Sequence, residues 1–192
     1  ILAFFMQLIC FEVIASSYTD SLENLINTSD RADANRVKWL NLLAAELTNE
    51  DLPKALHYAE EAKSLSVVLD DDLGTLDAFS NLAWILHTMS DDEKANLMAD
   101  SAILLSTEME LGDYEADAHF IKGRILIQLN QKEEAKVSFQ QCLDASEQIN
   151  YISGLSSGWK GLGDLAEYAG DFDDAKKMYA KALEFTLKTK NP

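Results

Sequence analysis

This chain of 192 residues has little of what marks a β-rich or disulfide-built protein. It holds two prolines and eight glycines, and runs of β-branched residues are few. Both residue types disfavour helix interiors, so their scarcity points to an all-α chain. The two cysteines, Cys10 and Cys142, are too few for a disulfide framework and too isolated for a metal site. Positive charge is also scarce: 16 Lys and Arg stand against 33 Asp and Glu, a net charge of −17. Such a surface repels phosphate backbones and anionic headgroups, which argues against nucleic acid and membrane-surface partners. Histidines number three, His57, His87 and His119, and none has a zinc-type partner at i+4. No cofactor, metal or catalytic constellation is expected.

What is present is periodic. Hydrophobic residues make up 47% of the chain and charged residues 26%, enough for one domain or a repeat array with a continuous core. Ala55, Ala95, Ala135 and Ala175 recur at 40-residue steps. Seven positions after each comes a second small residue: Ala62, Ala102, Cys142 and Ala182. Self-similarity at such a period marks stacked repeats. Four units follow from it, at 33–72, 73–112, 113–152 and 153–192, each read as helix, turn, helix. In the last unit Trp159, Leu162, Leu165, Ala166 and Ala169 form one stripe. After the turn at Gly170-Asp171, residues Phe172, Ala175, Tyr179, Ala182 and Leu183 form another. Steps of three and four are helical. Small residues belong where paired helices come closest, and Cys142 behaves there as a small hydrophobe.

The front of the chain differs. Residues 1–15 are mostly apolar, broken by Gln7 and Glu12, with Val13 and Ala15 at the small positions of a cleavage zone. The pattern resembles a secretory leader and is too short and too charged for a membrane span. It predicts export, with a buried N-terminal helix in the cytoplasm as the other reading. A lipoprotein reading of Leu8-Ile9-Cys10 is disfavoured by the bulky Ile9. No initiator Met or basic region precedes the leader, so the start is expected to be incomplete. Residues 16–32 read as a short helix, with Leu22, Leu25 and Ile26 on one face, followed by a linker. At the other end Leu183, Phe185 and Leu187 want a neighbour, so the array is expected to continue past Pro192.

The register resembles the tetratricopeptide repeat family. Trp159, Leu162, Gly163, Gly170-Asp171-Phe172, Ala175, Tyr179 and Ala182 fall on the family's signature slots. Trp39-Leu42 with Ala55, and Phe79-Leu82-Ala83 with Ala95, match in the first two units. The third unit departs, with His119 in the large-aromatic slot and Lys122 in a leucine slot. The resemblance implies an all-α solenoid of about four helix-turn-helix hairpins. A unit of 40 residues exceeds the standard 34, and the surplus is placed in the second helix and the segment after it. Leader, short helix and 40-residue units together are similar to the exported repeat regions of Bacteroidetes-type sensor kinases and regulators. That likeness implies a periplasmic sensory or scaffold part of a larger signalling protein.

Motifs that suggest chemistry fail on context. Gly161-Leu162-Gly163-Asp164-Leu165-Ala166 fits a dinucleotide fingerprint, but it lies inside a predicted helix with no strand before it. Asp70-Asp71-Asp72 lacks the glycine and glutamate that a calcium loop needs, since Thr75 and Asn81 stand there. Asn27-Thr28-Ser29 is a formal glycosylation sequon. What remains is the concave groove, lined by first helices. The family's slots place there Asp77, Trp84 and His87, then Phe120, Arg124 and Gln128, then Lys160 and Asp164, with Asp117 and Glu167 alongside. Trp84 and Phe120 are aromatic anchors of the kind enriched at hot spots, although Trp84 also fits as packing between units. Arg124 and Lys160 point to acidic partners. A carboxylate clamp is not expected, because only Asn81 matches its slots, while Leu40, Ala44, Asp117 and Ile121 occupy the others. The function read from the sequence is non-catalytic recognition of a protein or peptide. The competing reading is a structural spacer or self-association array.

Overall fold

The computed structural model describes residues 18–30 and 34–190, and these are helical with short links. The leader, residues 16–17, the end of the linker at 31–33 and residues 191–192 lie outside the described residues. Residues 18–28 form α1. There follow α2 (Ala34–Leu47), α3 (Leu52–Val68), α4 (Asp72–Thr88), α5 (Asp92–Glu108), α6 (Gly112–Gln128), α7 (Lys132–Ile149), α8 (Ile152–Ala169) and α9 (Phe172–Lys190). The chain divides after Ile85, within α4, into two compact units.

From α3 onward the links obey one rule. Asp70, Ser90, Glu110, Asn130, Asn150 and Gly170 all have positive φ, from 52° to 87°. In each case the next residue's N–H returns to a carbonyl five positions back: Asp71 to Ser66, Asp91 to Leu86, Leu111 to Ser106, Gln131 to Leu126, Tyr151 to Ser146 and Asp171 to Ala166. This is the Schellman closure, which satisfies the last carbonyls of a helix with a left-handed residue. The carbonyl of the same returning residue then accepts the first bond of the following helix, as Asp91 does from Ala95. Turns within and between hairpins are therefore alike. The surplus residues are not extra loop: Asp72-Leu73-Gly74 opens α4 and Ile152-Ser153-Gly154 opens α8. They lengthen the helices, because a two- or three-residue link has no room for them.

In unit 1, α1 buries Leu22 and Ile26. Arg36 of α2 donates from Nη1 to the Ile26 carbonyl at the end of α1, and from Nη2 to Glu61 of α3 at 2.7 Å. The Tyr58 hydroxyl donates to Glu23 at 3.3 Å. Asn81, the clamp-slot match, is used within the fold. Its amide donates to the Asn41 carbonyl at 3.0 Å, while Asn41 donates to the Gly74 carbonyl at 2.9 Å. The acidic run at 70–72 is a turn. Asp70 is the left-handed residue, and the Asp71 carboxylate accepts the Gly74 N–H at 2.9 Å, an N-cap bond.

In unit 2 the core gathers Leu126, Ala135, Phe139, Leu143, Leu155, Leu162 and Leu165 from α6, α7 and α8. Phe139 is fully buried. Its ring occupies space that a Cβ at Gly123 or Gly161 would need. The dinucleotide-like glycines thus sit inside α8 as packing relief: Gly161 clears Phe139, and a Cβ at Gly163 would lie 2.6 Å from the Tyr179 ring. The alanine slots are filled as expected, with Ala55, Ala95 and Ala135 fully buried and Ala175 nearly so. A second series, Ser66, Ser106 and Ser146, is also fully buried. Each of these hydroxyls bonds to a carbonyl of the preceding turn, so the small polar residue is satisfied within its own helix.

Candidate functional site

The alternation of helices puts one face of α6 opposite one face of α8 in unit 2. Arg124, Ile127 and Gln128 are spaced i, i+3, i+4, and so are Asp164, Glu167 and Tyr168; such residues share a helix face. With His87 they line an open depression of about 350 Å³. That volume suits one or two side chains of a ligand and is at the lower end of small-molecule sites.

Each wall is fixed from behind. His87 is nearly buried and its Nδ1 lies 2.7 Å from the Asp92 carboxylate, which orients the ring. On the opposite wall, the Tyr179 hydroxyl of α9 lies 2.8 Å from an Asp164 carboxylate oxygen and 2.7 Å from one of Glu167, so the two share its one proton as acceptors. Gly163 gives the Tyr179 ring its path across α8, since a side chain there would meet it. Burial first, then the two carboxylate hydrogen bonds and their charges, raises the Tyr179 phenol well above its ordinary range. The phenol therefore stays protonated and remains a donor. Lys132 of α7 lies over the Tyr168 ring at 4.8 Å, within the range of a cation–π contact.

Of the residues expected in the groove, His87, Arg124, Gln128 and Asp164 come together here. Phe120 does not line the depression. It packs against the unit 2 core, its ring centroid 6.1 Å from that of Phe139. Lys160 is exposed and outside the depression. Asp77 and Trp84 belong to unit 1, where both are half-buried. Asp117 accepts a hydrogen bond from the Tyr151 hydroxyl at 3.1 Å. Its carboxyl is pushed up to about 6, chiefly by burial, with the Tyr151 bond opposing and the Asp113 charge adding. Tyr179, Tyr168 and Ile127 were not marked by the sequence as groove residues. Tyr179 reads there as a packing aromatic, and only its reach over Gly163 reveals its second role.

The remaining candidates for chemistry are structural. His119 is buried, and burial pushes it down to about 4; its Nδ1 has no hydrogen-bond partner. Cys142 is buried and unpaired, its thiol pushed up to about 12 by burial, which leaves it protonated and unreactive. Lys122 reaches out from its leucine slot to pair with Asp100. Phe185, expected to want a neighbour, packs against the unit 2 core, while Leu183 and Leu187 are exposed. Among the described residues no group of three or more His, Cys, Asp or Glu could hold a metal ion. None of the described helices is long and apolar enough to cross a membrane.

A model of the tetratricopeptide repeat matches residues 116–149 and 159–188, which are α6 with α7 and α8 with α9. No curated protein matches the sequence. Among solved structures, the chain is similar to a Rap protein complexed with competence and sporulation factor (17% identity, TM-score 0.81, 98% of this chain and 53% of that one). It is also similar to aspartyl phosphate phosphatase F from Bacillus subtilis (15%, TM-score 0.75, 88% of this chain and 44% of that one). A third similar structure is a set of nearly identical TPR-like repeats from Podospora anserina (13%, TM-score 0.70, 93% of this chain and 89% of that one). The chain thus spans about half the length of the first two. The repeat model thus accounts for the last four helices, and the structural likeness shows an all-α fold of stacked helical hairpins.

Proposed function

We propose that this tetratricopeptide-type chain is a non-catalytic interaction module that binds a protein or peptide segment in the depression of unit 2. The observation that carries the reading is the convergence of Arg124, Gln128, Asp164 and Glu167 on one open site of about 350 Å³. Polar groups fixed on rigid helices can select a partner's side chains at little ordering cost. The Rap structure among the neighbours holds a bound factor, which is in keeping with a binding role for this architecture. We place the module in the extracytoplasmic, sensory part of a longer signalling protein, on the strength of the leader-like residues 1–15.

A displayed-peptide selection against the immobilised chain tests the site. Arg124→Glu and Gln128→Ala are each expected to weaken selected binders about tenfold or more, while the melting curve stays in place. Binding unchanged by both substitutions removes the site. The second reading, a spacer or self-association array, draws on the exposed Leu97 and Leu104 of α5 and Leu183 and Leu187 of α9. It predicts a mass in light scattering that rises with concentration, and no selected peptide.

A further inference from the structure

Resting on that reading, we infer that the α8 wall of the depression is a subsite for a basic side chain, lysine or arginine, of the bound segment. The expectation from Arg124 and Lys160 alone is the opposite, an acidic partner. Lys160 is outside the depression, and the α8 wall presents two carboxylates. Asp164 and Glu167 accept from one phenol oxygen at 2.8 and 2.7 Å, so their bonded oxygens are within 5.5 Å of each other. Two like charges this close repel unless a cation or donors offset them. Here the single Tyr179 proton is the donor. No ion pair joins either carboxylate to a Lys, Arg or His among the described residues, and Asp164 Oδ2 and Glu167 Oε1 carry no hydrogen bond there. The wall thus has the acceptors for a guanidinium or ammonium and lacks the cation.

Other features sharpen the fit. Arg124 and Gln128 supply donors on the α6 wall, suited to the carbonyls of the same segment. His87 is tied to Asp92, whose carboxylate lies 2.7 Å from the ring Nδ1 and adds a further acidic group behind that side. Tyr179 stands behind the wall, so it is a positioning residue: it holds the two carboxylates side by side, and its raised phenol keeps that proton in place. Gly163 is part of the device, because a Cβ there would displace the ring.

The test is a positional-scanning library of acetylated, amidated hexapeptides offered to the intact chain. Lys or Arg is expected to be enriched at one position, and the joint variant Asp164→Asn, Glu167→Gln is expected to lower affinity for those peptides about 10- to 100-fold. Tyr179→Phe keeps the ring over Gly163 and removes only the proton. It is expected to lower selectivity for the basic residue while leaving the thermal melt near its original midpoint. Glu133→Gln with Glu134→Gln, which do not line the depression, controls for the attraction of basic peptides to an acidic protein. Equal loss in that control overturns the inference, as does enrichment that persists in the Asp164, Glu167 variant. Selection of non-basic peptides that depends on Arg124 and Gln128 overturns the inference and leaves the groove reading standing. No enrichment at any position removes both.

Discussion

Phe139 and its two flanking glycines provide a sharp test of how unit 2 is packed. The Phe139 side chain is fully buried, and a methyl at Gly123 would sit 2.5 to 2.8 Å from three ring atoms. A methyl at Gly161 would overlap Cδ1 and Cε1 still more closely and reach 2.9 Å from Cγ. The ring is held by α6 on one side and α8 on the other, so it has no free direction in which to yield. Gly161→Ala gains about 1 kcal/mol in helix propensity. Overpacking a core costs about 1–3 kcal/mol and occasionally more. The net expectation is a loss of up to about 2 kcal/mol. Phe139→Ala alone is expected to cost about 3–5 kcal/mol. In that background Gly161→Ala meets no ring and keeps its propensity gain, so it becomes stabilising. The double-mutant cycle should therefore show a coupling of about 1–3 kcal/mol, the overpacking cost itself. Urea unfolding followed by far-UV circular dichroism measures all four corners, with Phe139→Leu as a milder second background. Additivity within about 0.5 kcal/mol would show that ring and glycine do not touch.

The turn rule gives a paired prediction. Gly170→Ala meets no atom within 4 Å but keeps φ at 87°, so it should cost about 1 kcal/mol from backbone strain alone. Glu110→Gly, at φ 57°, should gain about 0.5–1 kcal/mol, strain relief exceeding glycine's entropy; equal signs for the two would refute the rule. His119, pushed down to about 4 when folded, contributes stability above its ordinary titration range and loses it as pH falls from about 6.5 towards 4. His119→Phe should remove about 2–3 kcal/mol of that acid-side slope, read as melting temperature against pH. Asp117, raised to about 6, works in the opposite sense: its carboxyl favours the folded state more as pH falls through 6, so Asp117→Asn should steepen the acid loss. Ala95→Leu should lower the urea midpoint by the equivalent of about 1–3 kcal/mol, whereas a change at exposed Lys94 should leave it nearly unmoved.

The all-helical class and the closest-approach slots were legible in the sequence. They depend on spacing along one chain segment: Ala55, Ala95 and Ala135 are buried because they lie on the inner face of their helices, and no distant residue had to be known. Five links, at Asp70, Ser90, Glu110, Asn130 and Asn150, take the left-handed turn without a glycine, as Gly170 does with one. Only the helix lengths on both sides force it, so composition offered little warning for Glu110. The acidic balance, too, was set by residue counts.

Tertiary structure decided what each face does. Phe120 left the groove and Lys160 remained outside the depression, while Tyr179 acquired a role beyond packing. Each outcome turns on volumes from different helices meeting at one place: Gly123 and Gly161 open the space that Phe139 fills, and Gly163 opens the path that brings the Tyr179 hydroxyl to Asp164 and Glu167. A helical period tells which way a side chain points. It cannot tell how far the opposing helix lets it go, and in unit 2 that distance fixes the charge presented to a ligand.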